Sequence, residues 1–166
     1  VVGGLLVKDL VYYLRFFVTN ISEEVEMINT LKGFQAYLKD FDSGNFGEFV
    51  PKYYAENAIF EKTGYTIHGA KNLTDHFNNV LSSVVKEEIT LINYITNGNI
   101  VAAELQIKLV AVKDGFYIRD RKNGEEEMFY DTGFYNIEAD KIVHARIYRR
   151  FIDKNTMDLV KMYSSK

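Results

Sequence analysis

The chain has 166 residues, 47% hydrophobic and 26% charged, with a formal net charge of −3, the balance of one globular domain large enough to bury a core. It has no cysteine, which excludes disulfides, thiolate nucleophiles and Cys-ligated metal, and its mild negative charge gives no electrostatic footprint for nucleic acid. The 12 Tyr and 12 Phe supply apolar rings, half of them with a polar tip suited to a core, an interface or a cavity.

Residues 1–21 read as an N-terminal amphipathic helix, because Val7, Leu10, Val11, Leu14, Phe17 and Val18 recur at helical spacing. Lys8, Asp9 and Arg15 interrupt the apolar run before the ~20 residues that a membrane-spanning helix needs. The helix is expected to pack on the domain or on a second subunit, with contact to a membrane surface as the alternative. The lack of cysteine fits a reducing compartment, and a cytoplasmic location is expected.

A domain follows over residues 22–152, with a tail at 153–166. Ser22 with Glu23 and Glu24 makes a helix start, a capping hydroxyl followed by carboxylates in the positive first turn. Ile28, Leu31, Phe34, Leu38 and Phe41 carry that helix to about Phe41, where Asp42-Ser43-Gly44-Asn45 ends it. A second helix spans about Phe46–Ala55, with Pro51 placed near its first turn. Short strands at 58–62 and 65–68 lead through Gly69 to a third helix, about Ala70–Val85, burying Leu73, Phe77, Val80, Leu81 and Val84.

From there the pattern switches to period two. Strands fall near Ile89–Thr96, Asn99–Val112, Glu126–Ile137 and Lys141–Ile152. The second is the clearest: Val101, Ala103, Leu105, Ile107 and Leu109 share one face, and Glu104, Gln106 and Lys108 the other. Asn97-Gly98 before it signals a hairpin. Lys113–Glu125 is a polar connection into which the strands can extend as a protruding hairpin, and Glu125-Glu126-Glu127 reads as a solvated charge run. The plan is α+β: three helices packed on one face of a curved, mostly antiparallel sheet.

Three segments carry a resemblance. They are Tyr37–Phe46 (YLKDFDSGNF), Tyr54–Phe60 (YAENAIF) with His68-Gly69 ahead of a helix, and Gly133–Val143 (GFYNIEADKIV). Together they resemble the SnoaL-like, or nuclear transport factor 2-like, family of cone-shaped domains, which includes ketosteroid isomerases. The likeness runs from about Ser22 to Phe151. It implies a cone of three helices and a curved sheet, and a family range from isomerases, cyclases, dehydratases and epoxide hydrolases to members that only bind or dimerise. The epoxide hydrolase pattern, an Asp–Arg–Asp set, would fall on Leu105, Ile107 and Ile147, all apolar, which argues against that chemistry. The ketosteroid isomerase pattern matches at Tyr37, while its base position falls on Lys62 and its Asp position on Thr132, each one residue from a carboxylate. A one-residue offset in a strand turns a side chain to the other face.

Candidate site residues follow. Lys62, if turned inward, is a base or Schiff-base nucleophile made more neutral by burial, or it snorkels or pairs with a carboxylate. His76 shares a helix face with Leu73 and Val80 and is a proton carrier or a structural histidine. Tyr37 would donate a hydrogen bond. Phe60, Tyr130, Thr132 and Phe134 are expected to line the cavity, the last three on one face with Met128. Arg149, inward near the end of the last strand, could receive an acidic ligand group. His68 competes between a cap and the pocket rim, and His144, Arg146 and Arg150 go to the outer face. No two histidines share metal-ligand spacing, so neither a metal nor another cofactor is expected. The functional expectation is a domain binding a small apolar or polycyclic molecule, as an isomerase, cyclase or dehydratase acting by proton transfer. The competing one is a non-enzymatic dimerisation module. In either case a homodimer through the outer sheet face is expected.

Overall fold

The computed structural model describes residues 27–151. The helix read over residues 1–21, the Ser22 cap and the tail after 152 lie outside the described residues. The first described helix, α1 (Leu31–Asp42), begins behind Thr30, whose hydroxyl accepts from the Gly33 N–H at 3.1 Å. Ile28 is buried, but it sits in the preceding turn, with its N–H on Asp140 Oδ1 at 2.9 Å, instead of in the helix that the repeat predicts. A buried apolar residue three places before a helix imitates one more turn of it.

In α2 (Phe46–Tyr53) the proline is the sixth residue, not a first-turn one. Its missing N–H leaves the Gly47 carbonyl without a helical donor, and the helix stops two residues later. The chain passes directly into β1 (Tyr54–Lys62), and Gly64, at φ +97°, turns it into β2 (Tyr65–His68). The third helix is broken: α3 (Ala70–His76) runs into a π-helical turn at Phe77–Leu81 and a short α4 (Ser82–Val84). Leu73, Phe77, Leu81 and Val84 stay buried across the break.

Two long hairpins complete the sheet, β3 (Val85–Asn97) with β4 (Ile100–Ala111) and β7 (Glu126–Glu138) with β8 (Lys141–Phe151). Between them, β5 (Gly115–Tyr117) and β6 (Arg119–Arg121) form the protruding hairpin. The six-stranded sheet runs β2-β1-β8-β7-β4-β3, with β1 and β8 parallel and every other pair antiparallel. The alternating face of β4 is buried as read, and the helices close over it through a run of packed rings, among them Phe34, Tyr37, Phe49 and Tyr135.

Two expectations are corrected here. Glu125 and Glu127 are no solvated run: they meet Arg119 and the fully buried Arg121 of the hairpin. The faces of β7 are also the reverse of those expected. Leu105 and Ile107 point inward, and their partners across the ladder are Asp131 and Phe129. Directly opposed residues share a face, so Phe129, Asp131, Gly133, Tyr135 and Ile137 face in. Tyr130, Thr132 and Phe134 go to the outer face.

Candidate functional site

Four strands aim charge at one end of the cone. Arg149 of β8 lies opposite Asp131 of β7, and the two form a bidentate pair: Nε to Oδ1 and Nη2 to Oδ2, both at 2.8 Å. The same Nη2 reaches Glu87 Oε1 of β3 at 3.2 Å, and the Tyr117 hydroxyl of the hairpin donates to that oxygen at 3.1 Å. The guanidinium lies over the Phe129 ring, 4.1 Å from its centroid. Lys62, the last residue of β1, brings Nζ to 3.7 Å from Asp131 Oδ2.

Two cations and two carboxylates therefore share one low-dielectric volume. The side chains of Arg149, Asp131 and Glu87 are each under 5% exposed, and that of Lys62 is 13% exposed. Such charges survive burial only when paired and hydrogen-bonded. One donor is left over: Arg149 Nη1 is buried and has no partner among the described residues. For Arg149, desolvation would favour the neutral form, but the Asp131 hydrogen bonds and Glu87 outweigh it and hold the guanidinium firmly charged. For Lys62, desolvation wins and Arg149 adds to it, so the ammonium is pulled below the ordinary lysine value despite Glu87 and Asp131.

A chamber of about 50 Å³ runs inward from this cluster, walled by Phe60, Phe77, Leu105, Ile107 and Ile147 and reaching Tyr37 and Tyr135. A second space of about 430 Å³ lies at the mouth, between the Thr63-Gly64 turn, Ile118 and Arg149. Lys62, Tyr65, His76 and Tyr117 border both. Burial pushes the Tyr65 hydroxyl up to about 12. His76 is half-buried, its ring 5.1 Å from that of Tyr65, and burial and then Lys62 lower its pKa, which favours the neutral imidazole. Tyr37 and Tyr54 share a hydrogen bond of 2.8 Å between their hydroxyls, and burial raises both well above the ordinary tyrosine value, so both stay protonated.

Of the residues picked from sequence, the fold brings Tyr37, Phe60, Lys62, His76 and Arg149 to the chamber or its mouth. Tyr130, Thr132 and Phe134 are elsewhere. Tyr130 lies under Arg150 on the outer face at 5.2 Å, and Phe134 packs edge-on against Tyr148 at 6.3 Å. His68 is exposed and accepts through its carbonyl from Asn72, and His144 faces Glu61 on the outer side at 3.2 Å. Sequence reasoning missed Asp131, Glu87, Tyr65 and Tyr117. Asp131 was within reach through its register against Leu105, whereas Glu87 and Tyr117 meet only through the folded hairpin. Asp131, next to the Thr132 position read against the ketosteroid isomerase pattern, faces inward opposite Leu105. Both its oxygens accept from Arg149, which only donates. Among the described residues no three His, Asp or Glu side chains cluster as metal ligands, and no helix is long and apolar enough to cross a membrane.

The model of the SnoaL-like domain matches residues 34–145, about two thirds of the chain. No curated protein matches the sequence. Among solved structures, similar folds include an M. tuberculosis LEH-like epoxide hydrolase, with 16% identity over 85% of this chain and 99% of that one at a TM-score of 0.61. A protein from Pseudomonas putida provisionally assigned as a polyketide cyclase shares 18% identity over 74% and 90%, with a TM-score of 0.61. A Catenulispora acidiphila protein with a ketosteroid isomerase-like fold, solved with trimethylamine, shares 11% identity over 72% and 85%, with a TM-score of 0.58. These likenesses are of fold. At the three positions read against the Asp–Arg–Asp set, Leu105, Ile107 and Ile147, this chain presents an apolar wall.

Proposed function

The chain belongs to the SnoaL-like domain family, and from that premise we propose that it binds a small, largely apolar carbonyl compound and moves a proton beside the carbonyl. That is the chemistry of an isomerase, cyclase or dehydratase. One observation carries the reading: an apolar chamber and its mouth end on a buried charged cluster that has a free donor, Arg149 Nη1, and a neutral histidine at the same rim. Ligand sites of this kind are mostly apolar, with a few placed polar groups, and span about 300–1,000 Å³. The mouth meets that size, so the ligand body belongs there, with only a narrow end entering the chamber.

In this reading His76 takes the proton from the carbon next to the carbonyl. Arg149 Nη1–H holds the oxygen as it gains charge. A preset donor at a developing oxyanion is worth about a hundredfold in rate or more, and here it acts where water is largely excluded. Asp131 and Glu87 fix the guanidinium by its other nitrogens, and Tyr37 offers a neutral hydroxyl at the far end. Tyr130 and Thr132 take no part, since they face outward.

Methyl-resolved NMR with 2-tetralone, a bicyclic apolar ketone, tests the reading. Shifts at the Leu105, Ile107 and Ile147 methyls are expected; an inner wall that ignores the probe would refute it. The outer face favours a second reading, an interaction module that pairs two copies of the chain, because Phe134, Tyr148, Met128, Ile95 and Ile100 are exposed there. In that case the Ile95 and Ile100 methyls respond to protein concentration and the inner wall stays silent towards the ketone.

A further inference from the structure

Lys62 is the one cation of the buried cluster whose charge is poorly matched. Its contact with Asp131 at 3.7 Å is longer than a direct hydrogen bond, and both Asp131 oxygens already accept from Arg149 at 2.8 Å. Glu87 is likewise engaged by Arg149 and Tyr117. Lys62 Nζ thus stands at the border of chamber and mouth without a strong partner, beside a charged guanidinium. The lysine's ion pair is with a carboxylate that Arg149 already holds through both oxygens.

Resting on the proposed carbonyl ligand, we propose that Lys62 attacks the carbonyl carbon and holds the ligand as an imine. The Nζ lone pair forms the C–N bond while the C=O π pair moves to oxygen, for which Arg149 at the mouth is the charged donor. A proton leaves nitrogen for that oxygen by way of His76, giving a carbinolamine. A second proton, taken from solvent and delivered through His76, goes to the hydroxyl; that oxygen leaves as water while the nitrogen lone pair forms the C=N bond, giving the protonated imine. Its positive charge acidifies the adjacent C–H, whose proton His76 takes to leave an enamine. His76 returns a proton to carbon, and addition of water to the restored protonated imine reverses the sequence and frees the lysine. No oxidant or reductant is required. The lowered pKa of Lys62 agrees with this role, because desolvation and Arg149 raise the share of neutral amine while Glu87 and Asp131 only partly offset them.

The full chain is incubated with 2-tetralone and cyanoborohydride at neutral pH, and the modified lysine is located by peptide mass mapping. The expected result is a reduced adduct on Lys62, ahead of surface lysines such as Lys52 and Lys71, and its loss in both Lys62→Met and Lys62→Arg. Lys62→Arg retains the charge, so a loss of adduct with the inner-wall methyl shifts intact isolates nucleophilicity from folding. Inner-wall shifts with no adduct on Lys62, or adducts only on surface lysines, would overturn the imine and leave the binding reading standing. Silence of the inner wall itself would remove both.

Discussion

At the end of α1, Asp42 lies beside β3, where it accepts from the Ile89 N–H and is near Lys86, Glu87 and Glu88. Burial, and then the two glutamates, push its carboxyl up to about 6 against the pull of Ile89 and Lys86. Between the ordinary carboxylate range and that value, the folded protein holds a proton that the unfolded chain has released. Stability therefore falls as pH rises through this window and is not regained above it. Asp42→Asn keeps an acceptor for Ile89 and removes the charge. Urea unfolding should find it more stable than the parent above about pH 6, with the advantage fading towards about pH 4. An advantage equal at both pH values would contradict the assignment. Single residues were also where the sequence spoke least evenly. Alternation aims Arg149 inward, and helical spacing aims His76, but neither says that Arg149 would spend three of its donor contacts on Asp131 and Glu87. Those partners come from β7 and β3, and no local pattern joins residues 18 and 62 positions away.

Among the elements, β7 is the one that resists reading. Met128-Phe129-Tyr130 and Phe134-Tyr135 put large apolar side chains on both faces, so alternation has no phase, whereas β4, with Glu104, Gln106 and Lys108 opposite five apolar residues, has a clear one. Register against β4 settles the matter, and the glycine at 133 shows its consequence. A Cβ there would lie 2.6 Å from the Tyr135 ring and hydroxyl, because the ring folds back over the strand to pack on Phe34 and Tyr37. Gly133→Ala must push that ring towards the chamber. The expected cost is about 1–3 kcal/mol by denaturant unfolding, as for other overpacked cores. A neutral substitution would mean that Tyr135 is free to move, and the chamber's inner end with it. The π-helical turn at Phe77–Leu81 escaped the sequence for a related reason. Leu73, Phe77, Leu81 and Val84 keep a regular apolar spacing, and one wider turn leaves their burial intact.

For the whole molecule, the order of helices and strands and the cone they form follow closely from periodicity, turns and the three family-like segments. Packing an amphipathic helix on an alternating sheet has few solutions, which is why the architecture is legible when the site is not. The site depends on which long-range neighbours a buried charge finds, and in this chain they are Lys62, Asp131, Arg149 and Glu87. That set gives the molecule one apolar interior with one polar end, and the account stands or falls on whether a proton moves there. Exchange of the hydrogens between ring and carbonyl of 2-tetralone, followed by NMR in deuterated buffer, measures this directly. Exchange faster than in buffer alone, returning to the buffer rate in a folded His76→Gln variant, is the predicted result. Exchange no faster than buffer, or unchanged by His76→Gln, would contradict it.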